Sequence, residues 1–256
     1  VKSYRFVNAM GRALSVFLLT TLLIVMPSRS VAGELSIAVA SNFIAPIKKI
    51  ATQFKQETGH SLRLSFGSSG KFYAQIKNNA PFDVFLSADL VKPRALSKEQ
   101  LALPDSLTIY AKGKLVLWSV KPINALTLEA AVVNANRIAI ANPTLAPYGK
   151  AAEDVLKHLT RWDSTESKRV QGENISQTYQ FVYSQNADLG FVALSQVRSG
   201  RITGYTKDIP TKLYRPINQG GVILSRSENK ALAATFMTFL MRADTQAQII
   251  NMGYAE

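Results

Sequence analysis

From Glu34 onward, short apolar runs alternate with stretches whose apolar residues recur at helical spacing, and this rhythm restricts the chain to α/β folds. LSIAVA (35–40) predicts a strand. In FIAPIKKIATQFKQET (43–58), Ile44, Ile47, Ile50, Ala51 and Phe54 share one helical face, and Gly59 supplies the stop. Further strands are predicted at 61–66, 83–87, 114–119, 137–141, near Val170, at 189–194 and at 221–225. Helices are predicted after Gly70, at 151–159, 176–186, 231–241 and 245–252. The expectation is an α/β protein with mainly parallel sheets in two lobes, 33–110 with 213–256 against 111–212. The polar stretch 199–210 is read as the passage back to the first lobe.

Ahead of this pattern stands a different segment. Lys2, Arg5 and Arg12 precede an uncharged apolar run at 13–26, followed by Pro27 and the small tripeptide Ser30-Val31-Ala32. This is the pattern of a secretory signal peptide over 1–32, with cleavage expected after Ala32. The run is shorter than the ~20 residues of a membrane span. The chain has no Cys, which excludes disulfides and a Cys-linked lipid, so the expected location is the periplasm. The formal charge is +13; four basic residues precede the first acid, Glu34, so the remainder carries +9. Its bases are scattered without a basic helix or interleaved aromatics, which suits small anions rather than nucleic acid.

The informative positions are those just before each helix, because a helix start presents unsatisfied N–H groups and about half a positive charge. Four strand-to-helix junctions are rich in small polar residues: Val39-Ala40-Ser41-Asn42, Gly67-Ser68-Ser69-Gly70, 142–149 (NPTLAPYG) and 172–176 (GENIS). In open α/β sheets such junctions gather at the carboxyl edge, where ligands bind. Four helix starts at roughly half a charge each match a dianion without any Lys or Arg. Ser and Asn are also ordinary N-caps, and spacing alone leaves capping and anion binding both open.

An enzyme is the competing class. A Ser nucleophile needs a base, yet the two histidines, His60 and His158, lie in a helix-to-strand loop and within a helix. Without Cys or a spaced His pair, metal-site material is missing. Asp83 and Asp89 bracket a strand end and are read as capping and backbone-satisfying groups before acid–base groups.

AVASNF, FGSSGKFYAQI, APFDVFLSAD, IANPTLAPYGKAAE, GENISQTYQFV and LGFVALSQV, in this order, resemble the periplasmic molybdate-binding proteins of ABC importers over nearly all of the chain beyond the leader. The resemblance implies a two-lobed type II periplasmic binding protein with a ligand cleft between the lobes. It also implies a monomer without cofactor that hands molybdate or tungstate to a membrane permease. Carried over by position, Ser41 and Ser69 supply hydroxyl and backbone donors, with Ser68 the neighbouring alternative to Ser69. Tyr148 and Ile175 supply backbone N–H groups. One position departs: where the family pattern has a donating Tyr, this chain has Ala193. The phenols of Tyr148 and Tyr179 are the candidate replacements. Sulfate or another tetrahedral oxyanion is the alternative ligand.

Overall fold

The structure, a computed structural model, describes residues 32–256, so the expected signal peptide lies, but for Ala32, outside the described residues. The chain begins with β1 (Glu34–Ala40), α1 (Ile44–Thr58), β2 (Ser61–Gly67), α2 (Ser69–Lys77), β3 (Val84–Leu86), α3 (Val91–Lys98) and β4 (Thr108–Gly113). It continues through β5 (Leu115–Ser119), α4 (Leu128–Asn134), β6 (Ile138–Ala141), α5 (Pro147–His158), β7 (Arg169–Gly172), α6 (Ile175–Tyr183), β8 (Leu189–Ala193), α7 (Leu194–Ser199) and β9 (Tyr205–Asp208). The last elements are β10 (Ile217–Ile223), α8 (Lys230–Leu240) and α9 (Ala243–Asn251).

These strands make two five-stranded sheets, ordered β2-β1-β3-β10-β4 and β7-β6-β8-β5-β9. In each, three strands run parallel and two antiparallel pairings follow, so the sheets are mixed where the sequence reading expected mainly parallel ones. The antiparallel pairings belong to the strands through which the chain passes between sheets. It leaves the first sheet at Gly113, enters the second at Leu115, and returns between Asp208 and Ile217. No crossover helix intervenes to reverse direction at these passages. β4 and β9 were not expected from the sequence. β9, YTKD, is mostly exposed and has no apolar alternation, so its pairing with β5 makes it a strand.

Each sheet buries both faces, as alternating side chains require. Leu35, Ile37 and Val39 meet Ile47, Ile50 and Phe54 of α1, whose Phe54 ring stands edge-on to Phe236 and Phe239 of α8. On the opposite face, Ala38, Phe85 and Val222 meet Phe72 and Ile76 of α2. In the second sheet, Leu117, Ile138, Ile140 and Phe191 pack with α5, while Trp118, Ala139 and Val192 pack with Tyr179 and Val182 of α6.

Register determines the site. The last residues of β1 and β2, Ala40 and Gly67, are direct partners, so Ser41 and Ser68 leave the first sheet side by side. Ala141 and Gly172 are paired in the same way in the second sheet, which brings Asn142 and Glu173 out together.

Candidate functional site: a cavity of helix starts

All four junctions line one small cavity of ≈ 10 Å³, bounded by Ser41 and Asn42, Ser68 and Ser69, Tyr148, and Asn174 and Ile175 among others. Five residues singled out from the sequence, Ser41, Ser68, Ser69, Tyr148 and Ile175, are thus brought together. No lining residue bears a charge. Ser41 and Ser69 are only 5% and 1% exposed.

The local sequences leave particular N–H groups free. In α2, Ser68 caps by accepting from Lys71 N at 3.4 Å, and Gly70 N donates across the cavity rim to Leu145 O at 2.9 Å. Ser69 N–H, one of the first-turn donors that lack an intrahelical acceptor, is left over. In α5, Pro147 occupies the first turn and Ala146 has no side-chain acceptor, so Tyr148 N–H is uncapped. In α6, Asn174 Oδ1 accepts from Ser176 N (3.0 Å) and Gln177 N (3.1 Å), leaving Ile175 N–H. Among the described residues, none of these three N–H groups has a protein acceptor. Ser69 Oγ accepts from Ala88 N at 2.9 Å, which keeps the hydroxyl proton available. Ser41 Oγ donates to Asn174 Oδ1 at 3.2 Å; that oxygen already has two N–H donors, so the serine can turn elsewhere at small cost.

The two sides of the cavity touch directly. Besides the Ser41–Asn174 bond, Ser176 Oγ donates to Ser41 O (3.3 Å), Ser195 Oγ to Asn42 O (3.1 Å), and Lys71 Nζ meets Glu173 Oε2 at 3.0 Å. Gly70 is needed for this approach: a Cβ there would lie 3.0 Å from Leu145 Cα and O. The arrangement is a closed cleft.

The two candidate phenols have other neighbours. Tyr148 OH accepts from Gln219 Nε2 at 3.2 Å and presses on Gly113, where an added Cβ would come within 2.2 Å of it. Burial pushes the Tyr148 phenol well above its ordinary pKa, so it stays protonated. Tyr179 stacks on Trp118 with ring centroids 4.6 Å apart and does not line the cavity. Ala193 is fully buried at the end of β8. Its N–H donates to Gln196 Oε1 at 3.1 Å, while Gln196 Nε2 holds Ile175 O at 3.0 Å. Gln196 therefore braces the start of α6.

The groups of the competing enzyme reading lie elsewhere. His60 Nδ1 accepts from Gly33 N, and His158 Nδ1 contacts Asp154 O; neither lines the cavity. Asp83 accepts from Ser36 N, Ser227 Oγ and Asn229 Nδ2, a structural role. Among the described residues no cluster of three or more His, Cys, Asp or Glu is suited to a metal ion.

Sequence reasoning did not single out Asn42 and Asn174 as cavity groups, although both stand within the junctions it quoted. Asn42 is 2% exposed, and its Oδ1 has no hydrogen-bond partner. Gln219, distant in sequence, gave no signal at all.

Comparison with known proteins bears on the fold and the family. Residues 35–255 match the bacterial extracellular solute-binding protein family. A molybdate-binding protein of Azotobacter vinelandii is 46% identical over 228 residues, covering 87% of this chain and 90% of that one. A molybdate-binding protein of Rhodobacter capsulatus is 42% identical over 224 residues, covering 87% and 88%. Among solved structures, the periplasmic molybdate-binding protein of Azotobacter vinelandii superposes with a TM-score of 0.82 at 39% identity, over 87% of this chain and 99% of that one. With its two mixed sheets, its cleft and these relatives, the chain belongs to the bacterial extracellular solute-binding proteins.

Proposed function

We propose that this protein is the periplasmic receptor of an ABC importer, a monomer that closes over molybdate or tungstate and presents it to the permease. One observation supports the reading: Ser69, Tyr148 and Ile175, whose helix-start N–H groups have no protein acceptor among the described residues, line with Ser41 and Ser68 a single cavity that has no charged side chain on its wall. Helix starts stabilise anions through oriented N–H groups and roughly half a positive charge each, and four of them match a dianion. Ser41, Ser69 and Ser68 donate from the first lobe; the backbones of Tyr148 and Ile175 donate from the second.

Such a site offers many donors and few acceptors. Protonated phosphate would bring a hydrogen with nowhere to go, which disfavours it, whereas sulfate is discriminated by size. Closure would be the signal to the permease, because a ligand that touches both lobes favours the closed form by its differential affinity.

The test is the melting temperature of the leaderless protein with molybdate, tungstate, sulfate or phosphate at equal concentration. At a hundred times Kd a ligand stabilises by ~2.7 kcal/mol, roughly 5–10 °C for a chain of this size. Shifts with molybdate and tungstate but not sulfate support the reading. A shift with sulfate alone replaces the ligand, and no shift with any of the four overturns the function.

A further inference from the structure

Beneath the cavity lies a fully buried cluster built by both lobes around Gln219, on β10 where that strand's pairing with β4 is interrupted by a bulge. Bulges re-aim side chains, and here the Gln219 amide meets three partners. Asn42 Nδ2 donates to Gln219 Oε1 at 2.8 Å and to Tyr254 OH at 3.0 Å. Tyr110 OH lies 3.0 Å from Gln219 Oε1 and 3.1 Å from Ser87 O, and Gln219 Nε2 donates to Tyr148 OH. This arrangement leaves Asn42 Oδ1 without a donor, and among the described residues the Tyr148 proton has no acceptor.

Exchanging the oxygen and nitrogen ends of both amides, with every heavy atom in place, gives the Tyr148 proton an acceptor and turns the unpartnered end of the Asn42 amide from an oxygen into an NH2. Gln219 Nε2 then donates to the Asn42 amide oxygen and to Tyr110 OH, which passes its own proton to Ser87 O. Gln219 Oε1 accepts from Tyr148 OH. Tyr254 OH, which otherwise donates to Asn42 O at 2.9 Å, turns its proton to the Asn42 amide oxygen, and Asn42 O keeps its bond from Ser195 Oγ. The outer end of the Asn42 amide becomes NH2. The two ends of an amide are distinguished by their hydrogen-bond partners, and each partner here tolerates the exchange.

Resting on the oxyanion reading of the cavity, we propose that Gln219 is a positioning residue that sets the polarity of the site. It decides whether Asn42, which lines the cavity, presents an acceptor or a donor to the ligand. An oxyanion is repelled by the first arrangement and bound by the second, so it selects the second by its differential interaction. Gln219 achieves this because its side chain can either give or receive a hydrogen bond at Asn42. The adjustment also supplies a donor on a chain that has Ala193 where the family pattern has a Tyr.

Gln219→Glu removes that freedom. An ionised carboxylate only accepts, so it holds the Asn42 nitrogen inward and turns the amide oxygen toward the ligand. The experiment is a titration with molybdate of the full leaderless protein and of Gln219→Glu, Asn42→Ala and the double variant, at about pH 9 to ionise a buried carboxyl. The expected result is a loss for Gln219→Glu that is at least about tenfold larger with Asn42 present than in the Asn42→Ala background, the added charge repelling the ligand directly in both. Gln219→Met, which imposes no polarity, should lose less than Gln219→Glu. A Gln219→Glu penalty of the same size with and without Asn42, or one that Gln219→Met equals, overturns the proposal. A Gln219→Glu protein that binds like the parent overturns it too. If the parent itself ignores molybdate, the functional reading falls first, a separate result from either of these.

Discussion

On the first-lobe side of the cavity the strands run into serines, and three buried hydroxyls accompany the helix start at Ser69. On the second-lobe side, the corresponding strand ends lead to Ala146-Pro147-Tyr148 and Asn174-Ile175, where the free groups are backbone N–H alone. Both sheets have the same strand order and parallel register, so the difference is one of side chains and not of framework. Such a division means that substitutions should act differently on the two sides. In the first lobe the identity of the side chain matters. In the second the requirement is a free N–H, which most residues provide and proline does not.

Ser41→Asp should have the largest effect. A carboxylate about 4 Å from a dianion costs about 4 kcal/mol or more even at an effective dielectric constant near 20, which abolishes detectable binding in calorimetry while the unliganded protein still melts cooperatively. Retained affinity would show that Ser41 faces away from the ligand.

Ser69→Ala should weaken molybdate by about 1.5–3 kcal/mol, the range for a hydrogen bond to a charged partner. It should also lower the unliganded melting temperature, because Ser69 Oγ accepts from the buried Ala88 N–H. A stability loss without an affinity loss would reduce Ser69 to a brace for Ala88.

For the second lobe, Ile175→Pro is the sharp substitution. Proline is tolerated at the first helical position, and Asn174, with φ −143° and ψ 173°, already has the extended conformation that precedes proline. The fold should survive while one N–H donor disappears, at about 1–3 kcal/mol in binding. Ile175→Val should cost ~0.5–1.5 kcal/mol in stability and leave affinity within a few fold. If the two variants bind equally, the backbone of α6 is not a ligand group.

The smallest expected effect is that of pH. The single titratable side chain on the cavity wall is Tyr148, whose phenol burial holds protonated well above neutrality. Molybdate affinity measured between about pH 6 and 8 should be flat. A steep slope would place a titrating group in contact with the ligand and undo the contrast between hydroxyl and backbone donors.

Much of this was legible in the chain because it is local. The apolar spacing of Ile44, Ile47, Ile50 and Phe54 and the glycine after Thr58 define α1 without reference to anything distant. The junction residues are a strand's last position followed by a helix start, which short-range pattern reveals. β4 and β9 were not legible, since Lys112 and Gly113 in one and the exposed YTKD in the other become strands only beside β10 and β5. Tyr148 was read as a candidate phenol donor, and its hydroxyl accepts from Gln219, a residue far away in sequence.

By itself, the sequence determined the alternation of elements, the four polar helix starts and the absence of cysteine and of a histidine at any of them, because periodicity, capping and composition are properties of neighbouring residues. Tertiary structure alone decided that these starts meet. The pairings Ala40 with Gly67 and Ala141 with Gly172 set their register, Gly70 admits Leu145, and Gln219 lies under Asn42. Hydrogen bonds between residues more than a hundred positions apart depend on how two sheets cross, and no local pattern encodes that crossing.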